Sequence, residues 1–155
     1  MSVDTLFTKE QISRLFENNK IAIALEVFEP NFPPVAFLYA EKLNYKFLVT
    51  QIEERCPATA FALSDYGDGG LIFEVLDIDR LEKEVENKGD VLRSDPSFAG
   101  KYNLAIYAKV ADKMEQIITE AESEEIKLLF ETFNQQPRYH NSNQNIRRFK
   151  FGVIC

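Results

Sequence analysis

Tryptophan is absent from this 155-residue chain, histidine occurs once and cysteine twice. The lone imidazole, His140, removes any site built from several histidines, and no group of Cys and His residues offers zinc a full set of soft ligands. Two cysteines far apart, Cys56 and Cys155, imply no disulfide framework, so a cytoplasmic, reducing location is the simplest expectation. No apolar run approaches the ~20 residues that span a bilayer, which predicts no membrane association. The opening Met1-Ser-Val-Asp-Thr5 has neither the basic nor the apolar stretch of a signal peptide. Positive charge is also scarce. With 18 Lys and Arg against 25 Asp and Glu the net charge is −7, which excludes a generic basic nucleic-acid binder. At 45% hydrophobic residues the chain can bury one real core and is not a disordered one.

The charge is divided along the chain. After Glu131 there is no acid, while Arg138, Arg147, Arg148 and Lys150 remain; residues 1–131 carry 14 bases against 25 acids, a net of −11. Opposite charge on body and end is explained either by the end folding back on its own body or by its reaching a phosphate-bearing or acidic partner. The organisation expected is a single α+β domain over residues 1–135 and a basic C-terminal extension over 136–155 docked on it.

Periodicity places the elements. Thr8-Lys-Glu-Gln11 has the form of a capping box ahead of Ile12, Leu15 and Phe16, and Asn18-Asn19 reads as the stop of that helix. Ile21 to Phe28 reads as extended, and Pro33-Pro34 then acts as a breaker that cannot join a ladder. Strands are expected over Val35–Ala40, Tyr45–Ile52, Ala58–Leu63 and Leu71–Leu76, with Asp65-Tyr-Gly-Asp-Gly-Gly70 as a hairpin turn and Asp90–Arg93 as a short fifth strand. Tyr45–Ile52 carries apolar groups on both faces, as a strand covered on each side does. Asp77 can cap a helix that ends at Gly89. From Asn103 onward the stripe Leu104, Tyr107, Val110, Met114, Ile117, Ile118 and Ala121 outweighs the alternating pattern and predicts a helix; Ser123 caps the last one. Phe149, Phe151, Val153 and Ile154 suit a terminal strand. The fold class is therefore α+β: a mostly antiparallel sheet of about five strands with helices packed on it and a helical C-terminal extension.

Catalytic sets are thin. No Gly-x-Ser-x-Gly elbow is present, and Ser-His-Asp chemistry would have to recruit His140 from a polar segment. A Cys56–His140 dyad with Arg55 beside the thiol, or a small hydrolase built on Asp65 or Cys56, are the enzymatic readings that remain. The Asp65–Gly70 loop fails the calcium template because its aspartates are three apart and Glu74 falls at the tenth position, and it lacks a P-loop lysine. No metal site and no cofactor are expected. A non-enzymatic role through the acidic body is the leading expectation: Glu53, Glu54, Asp65, Asp68, Asp77 and Asp79 would face a protein partner with a basic surface, their carboxylates occupying phosphate positions in a nucleic-acid-binding groove. The alternative is a nucleic-acid-associated module using Arg147, Arg148 and Lys150, where basic residues interleave with Phe149.

The chain also resembles a family. Phe7-Thr-Lys-Glu-Gln11, Pro34-Val-Ala-Phe-Leu-Tyr39, Phe47-Leu-Val-Thr-Gln-Ile52 and above all Ala60-Phe-Ala-Leu-Ser-Asp-Tyr-Gly-Asp-Gly-Gly70 are similar to segments of small bacterial proteins catalogued as a domain of unknown function. Ile78-Asp-Arg-Leu81 and Arg93-Ser-Asp-Pro-Ser-Phe98 resemble two further blocks, and the likeness spans residues 7–111. Departures are Gln51 in place of the family's glutamate and Ile72-Phe-Glu74 in place of Glu-Leu-Gly. The resemblance implies the same fold and a setting on plasmids, conjugative elements and phages. It implies no activity, cofactor or catalytic residue.

Overall fold

The computed structural model describes residues 2–26 and 31–136. His140, Arg147, Arg148, Lys150, Cys155 and the strand expected near the C-terminus lie outside the described residues, as does most of the basic extension. The elements run α1 (Ser2–Leu6), α2 (Lys9–Ala24), β1 (Ala36–Ala40), β2 (Tyr45–Ile52), β3 (Thr59–Asp65), β4 (Leu71–Asp77), α3 (Ile78–Asn87), β5 (Arg93–Ser94), α4 (Leu104–Met114) and α5 (Glu124–Gln135). The sheet has five antiparallel strands in the order β4-β3-β2-β1-β5, so the fold is α+β as the periodicity predicts.

Both faces of the sheet are covered. On one side Ala36, Leu38, Phe47, Val49, Ala60 and Ala62 meet Val3 and Phe7 from the N-terminal segment, Leu15 of α2 and Ile78, Leu81 and Val85 of α3. On the other, Leu48, Phe61, Leu63 and Phe73 meet Leu104, Tyr107 and Val110 of α4 and Phe130 of α5. Small Ala60 and Ala62 alternate with bulky Phe61 and Leu63 along β3, so one face admits helices closely while the other fills the space beneath α4. Every residue of β3 is buried. The helical C-terminal part is thus a third layer of the same core.

Caps are where the sequence places them. Thr8 Oγ1 accepts from Gln11 N at 3.1 Å while Gln11 Oε1 accepts from Thr8 N at 3.0 Å. Asp77 Oδ1 accepts from Arg80 N at 3.1 Å, Ser123 Oγ from Ile126 N at 3.2 Å, and Gly89 closes α3 with a φ of 85°.

Four expectations are corrected. The short fifth strand expected over Asp90–Arg93 forms at Arg93–Ser94, where Tyr39 and Leu38 of β1 provide the pairing. The helical stripe expected to run on through Ile117, Ile118 and Ala121 stops at Met114, because Glu115 turns to a φ of 57° and the Ile117 peptide is bonded to Asp65 and Lys46 instead. Ser2–Leu6 forms a helix that the periodicity did not announce. Asn18-Asn19 does not stop α2, and the segment from Ile21, expected to be extended, is helical to Ala24. The reason is tertiary. A bulge between Val49 and Gln51 takes Thr50 out of the ladder, and its carbonyl accepts from Asn18 Nδ2 at 2.9 Å. Asn19 is 2% exposed and bonded to Gln51 and Glu53. Asparagines that elsewhere compete for their own backbone here spend both amides on β2 and its exit.

Loop 95–103 is laid over β1 through Asp95 N to Phe37 O at 3.1 Å and Gly100 N to Pro34 O at 2.9 Å. A Cβ at Gly100 would stand 2.6 Å from Pro34 O and 2.7 Å from its Cδ. Gly100→Ala is therefore expected to destabilise the fold by about 1–3 kcal/mol in urea denaturation; a midpoint equal to the parent's would show that this approach is not tight.

Candidate functional site

The α4–α5 connection is held by a cross-strand pair. Lys46 of β2 and Asp65 of β3 stand opposite each other in the ladder. Asp65 Oδ2 accepts from Ile117 N at 2.9 Å, and Lys46 Nζ donates to Ile117 O at 3.1 Å and to Gln116 Oε1 at 3.1 Å. One residue's amide and carbonyl are thus gripped by opposite charges. Asp65 Oδ1 accepts from Gly67 N at 2.9 Å, where a φ of 77° turns the chain toward β4. The carboxylate is 1% exposed, and these charge-assisted bonds offset its desolvation.

Beside this clamp the surface opens into a cleft of about 270 Å³. Phe37 of β1 and Ile117 contribute apolar lining, loop 95–99 brings Asp95 and Phe98, and the segment after Ile117 brings Thr119, Glu120 and Glu122. The rings of Phe37 and Phe98 lie 5.9 Å apart, and Tyr39 stacks on Phe37 at 5.6 Å. Asp95 Oδ1 accepts from Ser97 N at 2.9 Å and Ser97 Oγ at 2.8 Å, a turn that sets the loop's shape. Glu120 Oε2 accepts from the fully buried Tyr107 hydroxyl at 2.7 Å, and that hydroxyl accepts from Lys101 N at 3.1 Å. Burial first, and then the Glu120 carboxylate, push the Tyr107 phenol far above its ordinary range, so it stays a donor.

The six carboxylates expected to face a partner do not form one patch. Glu53 and Asp65 are buried and used inside the fold, so neither is presented to a partner. Glu54 and Asp77 are exposed and Asp79 is half-buried where β2 leads into β3 and β4 leads into α3. Asp68 is exposed in the β3–β4 turn, at the other end of a seven-residue strand and hence about 20 Å away. The acids beside the cleft, Asp95, Glu120 and Glu122, are not in the partner-facing set expected from the sequence, where Asp95 enters only within the Arg93–Phe98 block of the family resemblance. The run Glu120, Glu122, Glu124, Glu125 was the available signal.

Glu53 closes a buried polar chain. Gln51 Nε2 donates to Asn19 Oδ1 at 2.9 Å, Asn19 Nδ2 to Glu53 Oε2 at 2.9 Å, and Arg55 N and Nε to Glu53 Oε1 at 3.2 and 3.4 Å. Burial raises the Glu53 carboxyl, but the Arg55 amide, the Asn19 amide and the Arg55 guanidinium together outweigh it and hold the group below its ordinary value. The neighbouring Cys56 sulfur is in a disulfide, contrary to the isolated thiols expected, so it offers no thiolate for a dyad. Neither Cys56 nor Asp65 lines the cleft. Among the described residues no three His, Cys, Asp or Glu side chains converge on a metal position, and no helix is long and apolar enough to cross a membrane.

Fold and site define a class: a three-layer α+β domain on an antiparallel sheet, with a small aromatic and acid-rimmed cleft between the β1 side and the α4–α5 connection. The chain belongs to the family described as protein of unknown function DUF2958, whose profile matches residues 6–118. That match takes in the whole sheet and ends one residue after Ile117, so the Asp65–Ile117 clamp lies inside it. No curated protein and no solved structure matches the chain.

Asp65→Ala leaves the buried Ile117 amide without its acceptor and is expected to cost about 1–3 kcal/mol, with hydrogen exchange at Ile117 rising toward that of exposed amides. Retained protection at Ile117 would refute the clamp. For Glu53, a carboxyl held low in the fold stabilises it above the ordinary glutamate range near ~4.3, and this is lost as pH falls through the lowered value. Urea midpoints from neutral pH downward should therefore fall less steeply in Glu53→Gln than in the parent; parallel profiles would contradict the assignment.

Proposed function

We propose that this protein is a non-enzymatic binding module whose acidic body engages a basic protein partner, competing with nucleic acid for that partner's groove. One observation carries the reading: the body's surplus of acid is left at the surface. Of its described acids, Glu53, Asp65 and Asp90 are buried, and the others are exposed or half-buried. Among the described residues ion pairs join Lys20 to Glu54, Arg55 to Glu53 and Arg80 to Glu84 at 3.4–3.8 Å. The exposed pairs Lys20–Glu54 and Arg80–Glu84 contribute little to stability, and a surface excess of one sign steers encounters with an opposite charge.

The partner-facing set changes with the folded arrangement. Glu54, Asp77 and Asp79 remain candidates at one end of the sheet, and the cleft acids Glu120 and Glu122 replace Glu53 and Asp65. A mobile-element carrier is part of this reading, on the resemblance of residues 7–111. We place the encounter in the cytoplasm, where nucleic-acid-binding proteins work, although a disulfide such as that at Cys56 is uncommon there.

Immobilised protein incubated with bacterial lysate at ~50 mM salt should retain basic nucleic-acid-binding proteins and release them at ~500 mM, where the screening length falls below ~5 Å. Added duplex DNA should compete with that retention. Recovery of no basic protein, or retention indifferent to salt, would overturn the proposal.

A further inference from the structure

We propose that the cleft between loop 95–99 and the α4–α5 connection receives the guanidinium of an arginine side chain presented by the partner. This rests on the basic-partner reading and gives it an anchor. The argument begins with size. At about 270 Å³ the cleft lies below the roughly 300–1,000 Å³ of pockets that take nucleotides or cofactors, so it fits one side chain.

The lining then selects the chemistry. Its ionisable groups are Lys46 and three carboxylates, Asp95, Glu120 and Glu122. The ammonium already donates to Gln116 Oε1 and Ile117 O, so its charge is directed at the backbone connection. An anionic ligand therefore meets net negative charge. A bare metal ion is disfavoured too, since no three carboxylates among the described residues converge to coordinating distance. What remains is an extended organic cation whose donors can reach separated acceptors.

Arginine suits this better than lysine. Its planar fork carries five donors and stacks on aromatic rings, whereas an ammonium is a compact point charge. Phe37 and Phe98, half-buried and 5.9 Å apart, supply the aromatic surface. Glu120 is pre-positioned by the Tyr107 hydroxyl at 2.7 Å, and Asp95 by its turn with Ser97, so two acidic partners are oriented before any ligand arrives.

The test uses the full chain and a blocked arginine, Nα-acetyl-arginine methylamide, with blocked lysine and blocked citrulline as controls. In amide chemical-shift titrations the arginine derivative should perturb residues 95–99 and 117–122. Citrulline should not, and lysine should act several-fold more weakly. Phe98→Ala and Glu122→Gln should each weaken the arginine response about threefold or more; Glu122 is exposed, so its substitution reads the site without disturbing the core. No perturbation there, or an equal response to citrulline, overturns the proposal. A response that emerges only when Arg138, Arg147 and Arg148 are replaced by Gln assigns the cleft to the chain's own basic segment and overturns the partner assignment. Retention of an arginine-rich peptide on immobilised protein, measured in parallel, separates the two readings. Retention without cleft shifts sinks this inference and leaves the acidic-body reading standing. Cleft shifts without peptide retention sink the partner on which both depend.

Discussion

Carboxylates set into a sheet that is covered on both faces must find their hydrogen-bond donors inside the molecule, because water does not reach them. Asp65 and Glu53 meet this demand near opposite ends of β3, and each binds a different layer. Asp65, with Lys46 across the ladder, holds the peptide group at Ile117 and so the connection between α4 and α5. Glu53, through Asn19, holds α2 against the exit of β2. Apolar burial supplies the driving force for three layers, and these polar contacts set where the outer two stop.

The cleft is a consequence of that arrangement. Because the connection after α4 is drawn down onto Lys46 and Asp65, the residues beyond Ile117 run beside β1, facing loop 95–99, which Phe37 and Pro34 anchor by backbone bonds. Tyr107 joins the two walls chemically: its ring lies 4.9 Å from Phe130 in the core, while its hydroxyl bridges Lys101 and Glu120. The concavity is thus held from both sides by core residues, and its acids are presented on a rigid frame.

Local signals were sufficient where the deciding interactions are local. The Thr8–Gln11 box, the Asp77 and Ser123 caps and the turn at Gly89 all depend on contacts within about four residues, and all are legible; the helix after Asn103 is legible from its apolar stripe, although its first amides are capped from afar by Phe32 O and Asn31 Oδ1. The double-sided apolar pattern of β2 correctly announced two covering layers. Asn18-Asn19 has the local pattern of a helix stop, but its side-chain partners are some 32 to 34 residues away and no local pattern shows them. The candidate acids suffered in the same way. Asp65 in a glycine-rich turn looks like a solvated loop residue until Ile117, 52 positions later, is seen to need an acceptor.

Composition and periodicity by themselves determined an acidic α+β domain, its strands, its caps and the separation of a basic end, since these depend on side-chain type and spacing. Only the tertiary structure decided which carboxylates are buried connectors and which reach the surface. That distinction is made by where distant backbone donors arrive, and no pattern within a single segment encodes their arrival.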